Sequence, residues 1–207
     1  MSDYWVFGYG SLMWRPGFPY LDAVPATLEG AHRALCVASI VHRGSRFRPG
    51  LVMGLDTGGS CRGLAFRVTP ELAGAIRNQL KKREQVTLVY REAIRRVKLG
   101  QGAGAGREVR ALCFLVDRLH PQYAGDIPLE RQAWMVRRAV GLSGRNVDYV
   151  MSTFRHLEEM DIVEPKIERL VNIFEPLRDT VDRALPAGLQ SPGPKIGTLV
   201  PVPRPKR

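Results

Sequence analysis

The sequence predicts an α+β domain built on a small, strongly curved or closed β-barrel with helices packed on one side. Short stretches rich in Val, Leu, Ile, Phe and Tyr, separated by glycines, fill the first half of the chain. Segments with apolar residues three and four positions apart fill the second half. Strands clustered first and helices clustered later are typical of this fold class.

Six strands are predicted in the first half, over residues 4–9, 34–41, 51–56, 61–68, 86–98 and 107–116. Glycine and alanine alternate from Gly102 to Gly106, which predicts a flexible hairpin connection between the last two strands. This segment lacks the Lys-Ser/Thr pair of a phosphate-binding loop, so it is not predicted to bind phosphate.

Four helices are predicted from apolar spacing and from their first residues. The first is capped by Thr69 and runs to about Arg83, because apolar residues recur every fourth position along it. The second starts near Pro128 and stops before Gly141. The third is capped by Ser143. The fourth starts at Pro165 and ends around residue 176 or soon after.

A chain of 207 residues is predicted to form one domain, which we expect to occupy residues 1–183. Residues 184–207 contain six prolines and three glycines and have a basic excess without a periodic apolar face. Such a composition predicts a flexible tail that has no core of its own.

Composition and residue pattern exclude several classes of protein. With 44% hydrophobic and 25% charged residues, the chain is too apolar to be disordered. Its apolar runs are far shorter than the roughly 20 residues of a membrane-spanning helix. No secretory leader is readable, so a cytoplasmic location is expected. Three cysteines without a C-x-x-C pair and four histidines without i, i+4 pairing predict neither a disulfide framework nor a metal site.

The formal net charge is +11, and most of the positive excess lies in residues 81–120 and 181–207. Such a charge attracts polyanions or small anionic substrates, and one alternative is therefore a nucleic-acid-binding module. However, only 8% of the residues are aromatic, and helix-turn-helix, zinc-finger and RNP signatures are absent. We therefore expect a small-molecule substrate and no nucleic-acid or membrane partner.

The most informative segment is the run from Val6 to Trp14, where a strand leads into two closely spaced glycines and a serine. Glycines at a strand end let backbone N–H groups face a ligand and form a small anion-binding nest. Ser11 does not fit the nucleophile elbow G-x-S-x-G, because Met13 stands where the second glycine is needed. A dinucleotide-binding loop is also excluded, since the third glycine is missing.

The same run resembles the Y-G-S-L signature of the ChaC-like γ-glutamylcyclotransferases, which act on glutathione. Later segments resemble further blocks of that family in the same order. They are His42-Arg43-Gly44 with Pro49-Gly50, Arg83-Glu84, Tyr123-Ala124-Gly125, and Gly141 to Asn146 with Tyr149. The resemblance covers residues 4–172 and leaves the tail outside.

The resemblance implies a β-barrel lyase that releases 5-oxoproline and Cys-Gly from glutathione without a metal or organic cofactor. In a γ-glutamyl amide the α-amine is itself the nucleophile, and it closes a five-membered lactam on the γ-carbonyl. The enzyme has to hold the reactive conformer, accept a proton from the amine, stabilise the oxyanion and protonate the leaving amine. One carboxylate and a row of N–H donors suffice for this.

By resemblance, Glu84 is that carboxylate and the loop from Tyr9 to Leu12 is the donor row. Spacing alone favours a different interpretation of Glu84, as a solvated surface carboxylate that pairs with a nearby lysine. The negative end of the helix dipole is expected to raise the pKa of Glu84, whereas the basic residues 81–83 oppose this change. Glu92 is the rival carboxylate, and it is expected to pair across strands with neighbouring arginines.

Two further residues are candidates for substrate binding. Arg43 can hold a substrate carboxylate through two hydrogen bonds, or it can be an ordinary surface arginine. Tyr123 can offer its hydroxyl to the glutamyl group or pack on the barrel rim. The block from Gly141 to Asn146 is assigned to structure. The predicted substrate-binding residues are Phe7, Gly8, Tyr9, Gly10, Ser11, Leu12, Arg43 and Tyr123.

Residues 85–88 and 34–38 differ from the usual family pattern beside the expected pocket. These differences leave the identity of the leaving amine open. The leading hypothesis is a glutathione-specific cyclotransferase, and the alternative within the same chemistry is action on other γ-glutamyl peptides or amines. A catalytically inactive scaffold is a further alternative, and the oligomeric state is left open.

Overall fold

The structure is a computed structural model that describes residues 3–84, 87–100 and 105–182. The predicted flexible tail, residues 184–207, lies outside the described residues. No helix within the described ranges has the length and hydropathy needed to cross a membrane.

Five strands form a closed barrel. Their bounds are β1 Tyr4–Gly8, β2 Asp22–Ser39, β3 Gly50–Val68, β4 Tyr90–Leu99 and β5 Glu108–Val116. The strand order around the barrel is β1-β3-β2-β4-β5. β1 pairs antiparallel with β3 and parallel with β5, and the second pairing closes the sheet. The prediction of a small closed barrel in an α+β domain is therefore confirmed.

The prediction of separate strands over 51–56 and 61–68 is wrong, because both belong to the single strand β3. Gly58 and Gly59 lie inside this strand at φ values of +94° and +68°, where the paired register places Gly30 of β2 opposite them. Two residues against one form a bulge, which bends the strand pair while the ladder continues on both sides. Glycine adopts these φ values without steric strain.

Two further strand bounds differ from the prediction. β2 begins at Asp22, well before the predicted segment 34–41. The prediction missed the first half of this strand because Pro25 and Gly30 interrupt its apolar pattern. β4 begins at Tyr90 and not at residue 86. The antiparallel pairing of β4 and β5 agrees with the predicted hairpin, and residues 101–104 of its connection lie outside the described residues.

Four helices flank the barrel. They are α1 Pro70–Glu84, α2 Leu129–Arg138, α3 Asn146–Glu159 and α4 Pro165–Asp182. A short hairpin of β6 (Val140–Gly141) and β7 (Gly144–Arg145) separates α2 from α3. Ser143 therefore lies in a hairpin turn and does not cap α3, which corrects the prediction. The last helix continues beyond its predicted end near residue 176.

The sequence predicts helices on one side of the sheet. In the structure the helices instead pack in two groups. α1 places Ile76 and Leu80 in a cluster with Val6 of β1. Residues of α2, α3 and α4 join a second cluster that contains Phe7 of β1. Successive side chains of a strand point to opposite faces, so β1 is buried on both faces.

Asn146, the first residue of α3, is fully buried, and its side-chain amide hydrogen bonds to the backbone of β3. Its Oδ1 accepts a hydrogen bond from the Leu51 N–H at 2.6 Å, and its Nδ2 donates to the Leu51 carbonyl at 2.7 Å. The contact is so close that a Cβ on Gly50 would lie 2.6 Å from the Asn146 Oδ1. This side chain therefore fixes α3 against the start of β3.

Replacing Asn146 with alanine should lower the free energy of unfolding by about 2–4 kcal/mol, because two buried backbone groups lose their partners. The Tm should fall by roughly 5–15 °C for a domain of this size. Urea and thermal denaturation measure both quantities. Asn172→Ala, on the exposed face of α4, is the matched control and should have little effect. Equal losses in the two variants would contradict this account.

Candidate active site

A cavity of about 340 Å³ lies where β1 and α1 end. Small-molecule sites commonly occupy about 300–1,000 Å³. The wall includes the loop after β1, the segment 37–43, the end of α1, and the side chains of Tyr90 and Tyr149. Among the described lining residues, three arginines face a single carboxylate. The cavity is therefore suited to an anionic ligand.

The loop after β1 brings backbone donors to the cavity wall. Within the described residues, the amides of Gly10 and Ser11 donate to no acceptor. The Gly10 carbonyl accepts from the Met13 N–H at 2.9 Å, which turns the chain into a short 3₁₀ helix. Gly8 permits this turn, since a Cβ there would lie 3.1 Å from the Cβ of Leu12. Unpaired amides of this kind bind anions and oxygen atoms that carry negative charge.

Glu84 is the last residue of α1, and its carboxylate lies on the cavity wall with 18% of its side chain exposed. Burial raises the pKa of Glu84 above its ordinary value, and Arg83 opposes this because its Nε lies 3.2 Å from the Glu84 Oε1. The direction agrees with the prediction from the helix dipole. The largest cause, however, is removal of the carboxylate from water.

Arg83 joins the end of α1 to the loop after β1. Its Nη2 donates to the Ser11 hydroxyl at 3.0 Å, and its Nη1 donates to the Arg15 carbonyl at 2.6 Å. Sequence reasoning considered Arg83 only as a charge beside Glu84. The structure adds that Arg83 keeps the Glu84 carboxylate and the donor loop on one wall of the cavity.

Tyr90 and Tyr149 line the cavity, and sequence reasoning did not include them among the site residues. The Tyr90 hydroxyl donates to the Met53 carbonyl at 2.6 Å, and the Tyr149 hydroxyl accepts from the Met53 N–H at 3.1 Å. Burial raises the pKa of Tyr149 to about 12, so its hydroxyl is neutral at physiological pH. The only available signal for Tyr149 was its place beside the Gly141 to Asn146 block.

Arg43 also lies on the cavity wall. Its backbone N–H donates to the Ser39 hydroxyl at 3.0 Å, which shapes the loop that carries it. Its guanidinium lies 5.4 Å from the centre of the Tyr149 ring, and Nη1 is 3.3 Å from the Arg145 carbonyl. Burial lowers the pKa of Arg43 below the ordinary arginine value, so a carboxylate in the cavity would be a favourable partner.

Tyr9, Gly10, Ser11, Leu12, Arg43 and Glu84 lie together on the cavity wall, whereas three other predicted residues are not among its lining residues. Phe7 is fully buried in the barrel core, and Gly8 serves the turn described above. Tyr123 donates to the Asp56 carboxylate at 2.7 Å and accepts from Arg118. Its neighbour Gln122 reaches the cavity instead.

The rival carboxylate, Glu92, is not among the lining residues. It pairs with α1 and not across strands, which corrects the prediction: Arg77 Nε donates to its Oε1 at 2.7 Å, and Lys81 Nζ lies 3.4 Å from its Oε2. The Arg77 hydrogen bond lowers the pKa of Glu92. The two glutamates thus have pKa values shifted in opposite directions. In the part of the chain that the structure describes, no three His, Cys, Asp or Glu side chains form a metal-binding group.

Glu84→Gln should raise the Tm near pH 8 and leave it unchanged near pH 4. A folded-state pKa above the unfolded value stabilises the fold at low pH, and this stability is lost as the pH rises through the folded pKa. Each kcal/mol corresponds to roughly 2–4 °C in Tm. Glu92→Gln should do the opposite and lower the Tm at pH 8, since the pKa of Glu92 is depressed. Thermal denaturation from pH 4 to 8 tests both, and a lower Tm for Glu84→Gln at pH 8 would refute the assignment.

The chain matches the family model described as ChaC-like protein over residues 4–178. It is 31% identical over 189 residues to the glutathione-specific γ-glutamylcyclotransferase of Escherichia coli K12, and the match covers 91% of this chain and 79% of that protein. It is 28% identical over 173 residues to γ-glutamylcyclotransferase 2-3 of Arabidopsis thaliana, which covers 81% of this chain and 86% of that protein.

The fold is similar to that of a yeast γ-glutamyl cyclotransferase specific to glutathione, with a TM-score of 0.74 at 21% identity. This match covers 86% of the present chain and 97% of the yeast chain. The resemblance seen in the ordered sequence blocks is therefore confirmed by the extent of the family match and by the barrel topology. The chain belongs to the ChaC-like family.

Proposed function

We propose that this protein is a glutathione-specific γ-glutamylcyclotransferase that converts glutathione into 5-oxoproline and Cys-Gly. The observation that carries the proposal is the meeting of one largely buried carboxylate, Glu84, with the Gly10 and Ser11 amides, which have no acceptor among the described residues, in a single cavity. The names of the relatives in Escherichia coli and yeast support the same substrate.

The reaction needs one proton acceptor that later becomes a proton donor. The α-amine of the γ-glutamyl group attacks the γ-carbonyl carbon, and a new C–N bond closes the lactam. Glu84 takes the proton that the amine loses. When the amide C–N bond to cysteine breaks, Glu84 returns the proton to the leaving nitrogen. The products contain all atoms of the substrate, so no water is consumed.

A carboxylate with a raised pKa suits both halves of this cycle. An ordinary glutamate is a weak base toward an ammonium group whose pKa is roughly 8. Burial of Glu84 narrows the difference between the two pKa values, while Arg83 limits the rise in the pKa of Glu84. A base whose pKa is closer to the working pH transfers protons in both directions more effectively.

The Gly10 and Ser11 amides stabilise the oxyanion that develops on the γ-carbonyl oxygen. Backbone donors held in fixed positions need no reorganisation during the reaction, so their full strength is available in the transition state. Tyr9 and Leu12 of the same loop also line the cavity. The hydroxyls of Tyr90 and Tyr149 hold the backbone of Met53 and thereby shape the opposite wall.

Arg43 binds a carboxylate of the substrate. Glutathione carries two carboxylates, and the cavity wall presents Arg15, Arg43 and Arg83 against the single acid Glu84. Arg83 is already engaged by Ser11, the Arg15 carbonyl and Glu84. Arg43 makes only one long hydrogen bond through its guanidinium among the described residues, so it is available to the substrate.

A cytosolic location is part of the proposal. Cys36, Cys61 and Cys113 are buried and unpaired in the structure. Buried reduced thiols are typical of proteins in a reducing compartment.

Glu84→Gln should reduce the release of 5-oxoproline from glutathione by about 10²–10⁴-fold, because it removes the proton acceptor. Mass spectrometry of the products after incubation with reduced glutathione, γ-Glu-Ala and γ-Glu-ε-Lys measures both activity and substrate range. Glu92→Gln is the matched control and should keep wild-type turnover, since Glu92 is engaged with α1 outside the cavity.

The wild-type kcat/KM should rise with pH through the raised pKa of Glu84, which lies above that of an ordinary glutamate. Equal activity of wild type and Glu84→Gln would remove Glu84 from the mechanism. Release of 5-oxoproline only from γ-Glu-Ala or γ-Glu-ε-Lys would support the cyclisation reaction but contradict specificity for glutathione. No product from any of the three substrates with folded protein would overturn the proposed function.

Arg43→Gln should raise the KM for glutathione by about 10- to 100-fold, because a hydrogen bond to a charged group contributes about 1.5–3 kcal/mol. Initial rates with glutathione and with its glycine ethyl ester measure the effect. An equal loss with both substrates indicates the glutamyl carboxylate, and loss with glutathione alone indicates the glycine carboxylate. Arg46→Gln, an exposed neighbour on the same loop, is the control, and an equal change in that variant would reject a specific contact by Arg43.

A further inference from the structure

Arg33 of β2 is a buried charged residue that the mechanism above does not use, and its side chain has no exposed surface. Its Nε donates to the Tyr9 carbonyl at 2.5 Å, and its Nη2 donates to the Arg62 carbonyl at 2.6 Å and lies 3.8 Å from the Met13 sulfur. Its Nη1 pairs with the carboxylate of Glu164. One guanidinium thus joins the loop after β1, the strand β3 and the segment before α4.

Stability does not account for this arrangement. The effective cost of removing one ion from water is several kcal/mol, and replacing a buried ion pair with apolar residues often leaves stability unchanged or improves it. β2 is already held by β3 and β4 through its backbone ladders. What the guanidinium does determine is the direction of the Tyr9 carbonyl.

The peptide between Tyr9 and Gly10 transmits this direction to the cavity. In a trans peptide the C=O and N–H bonds point in opposite directions. The Tyr9 carbonyl points toward Arg33, so the Gly10 N–H points away from it. Gly10 lies on the cavity wall and Arg33 does not. Within the described residues this N–H has no acceptor, which leaves it available to a ligand.

The charge of Arg33 also acts through the same peptide. A cation bonded to the carbonyl oxygen polarises the amide and makes its N–H a stronger donor. Glu164 supplies the negative charge that pairs with the Arg33 guanidinium, because burying a guanidinium without such a partner costs too much free energy. The carbonyl of Arg62 and the sulfur of Met13 are the partners of Nη2, so Nε and both terminal nitrogens are held and the side chain has one orientation.

We propose that Arg33 is a positioning residue that holds the Tyr9–Gly10 peptide so that the Gly10 N–H donates to the oxyanion formed from the γ-carbonyl. The inference rests on the proposed function, because it names the residue that orients the Gly10 N–H, a donor that this reaction requires. Negative charge develops on the oxygen mainly in the transition state. Arg33 therefore acts on kcat and leaves KM nearly unchanged.

The test is a double variant, Arg33→Met with Glu164→Leu, which removes both buried charges together and so avoids leaving one unpaired. With glutathione as substrate, kcat should fall by about 10²–10³-fold, the loss expected for one oxyanion donor. KM should change by less than about threefold. The pH dependence of kcat/KM should keep the wild-type profile, because Glu84 is untouched.

Arg67→Ala is the matched control. Its side chain links β3 to the start of β2 through a charged partner, with Nε donating to the Asp22 Oδ2 at 2.6 Å, and among the described residues none of its side-chain hydrogen bonds reaches the loop after β1. This control should keep wild-type kcat. A second measurement does not depend on the folding of an Arg33 variant. In ¹⁵N-glycine-labelled Glu84→Gln protein, saturating glutathione should move the Gly10 amide proton downfield.

The outcomes separate this inference from the proposed function. A folded double variant with wild-type kcat, or a Gly10 amide that glutathione does not shift, overturns the role of Arg33 while the activity of the wild type stands. A rise in KM that accounts for the whole loss, or an altered pH profile, indicates a structural role only and also overturns it. Absence of 5-oxoproline from the wild type overturns the proposed function, and the inference with it.

Discussion

The parallel pairing of β1 with β5 is the constraint on which the site depends. β1 has only five residues, yet it is hydrogen bonded to β3 on one edge and to β5 on the other, and it is buried on both faces. Its end therefore has one position relative to α1, which packs beside Val6, and to the helices that pack beside Phe7. The loop after β1 and the end of α1 meet because both are fixed to this strand.

Hydrogen bonds from side chains to backbone build the rest of the cavity. The ladder between β2 and β3 shifts its register between Ala34 and Val37. Close to this shift, Tyr90 and Tyr149 bond the backbone of Met53, and Asn146 bonds that of Leu51. Backbone groups without a ladder partner must find another one when they are buried. Side chains therefore supply hydrogen-bond partners to the cavity wall where regular strand pairing is interrupted.

The electrostatics of the site result from two opposing effects on each charged group. Burial raises the pKa of Glu84, and Arg83 limits the rise. Burial lowers the pKa of Arg43, which makes a substrate carboxylate a preferred partner. The buried guanidinium of Arg33 is paired with Glu164 and with two backbone carbonyls. The cavity thus brings a largely buried carboxylate together with arginine side chains, the two features that the proposed reaction uses.

The sequence by itself determined the fold class, the bounds of α1, the turn that follows β1 and, through ordered motifs, the family and the place of Glu84. These depend on local spacing and on residue types in a fixed order. Only the tertiary structure decided that two predicted strands are one, because a bulge is set by the opposite strand. It also decided that Tyr90 and Tyr149 lie on the same cavity wall as Glu84. It likewise brought Arg83 and Arg33 to the loop after β1, which is distant from both along the chain. Residue spacing carries no information about such contacts, since barrel closure and helix packing create them.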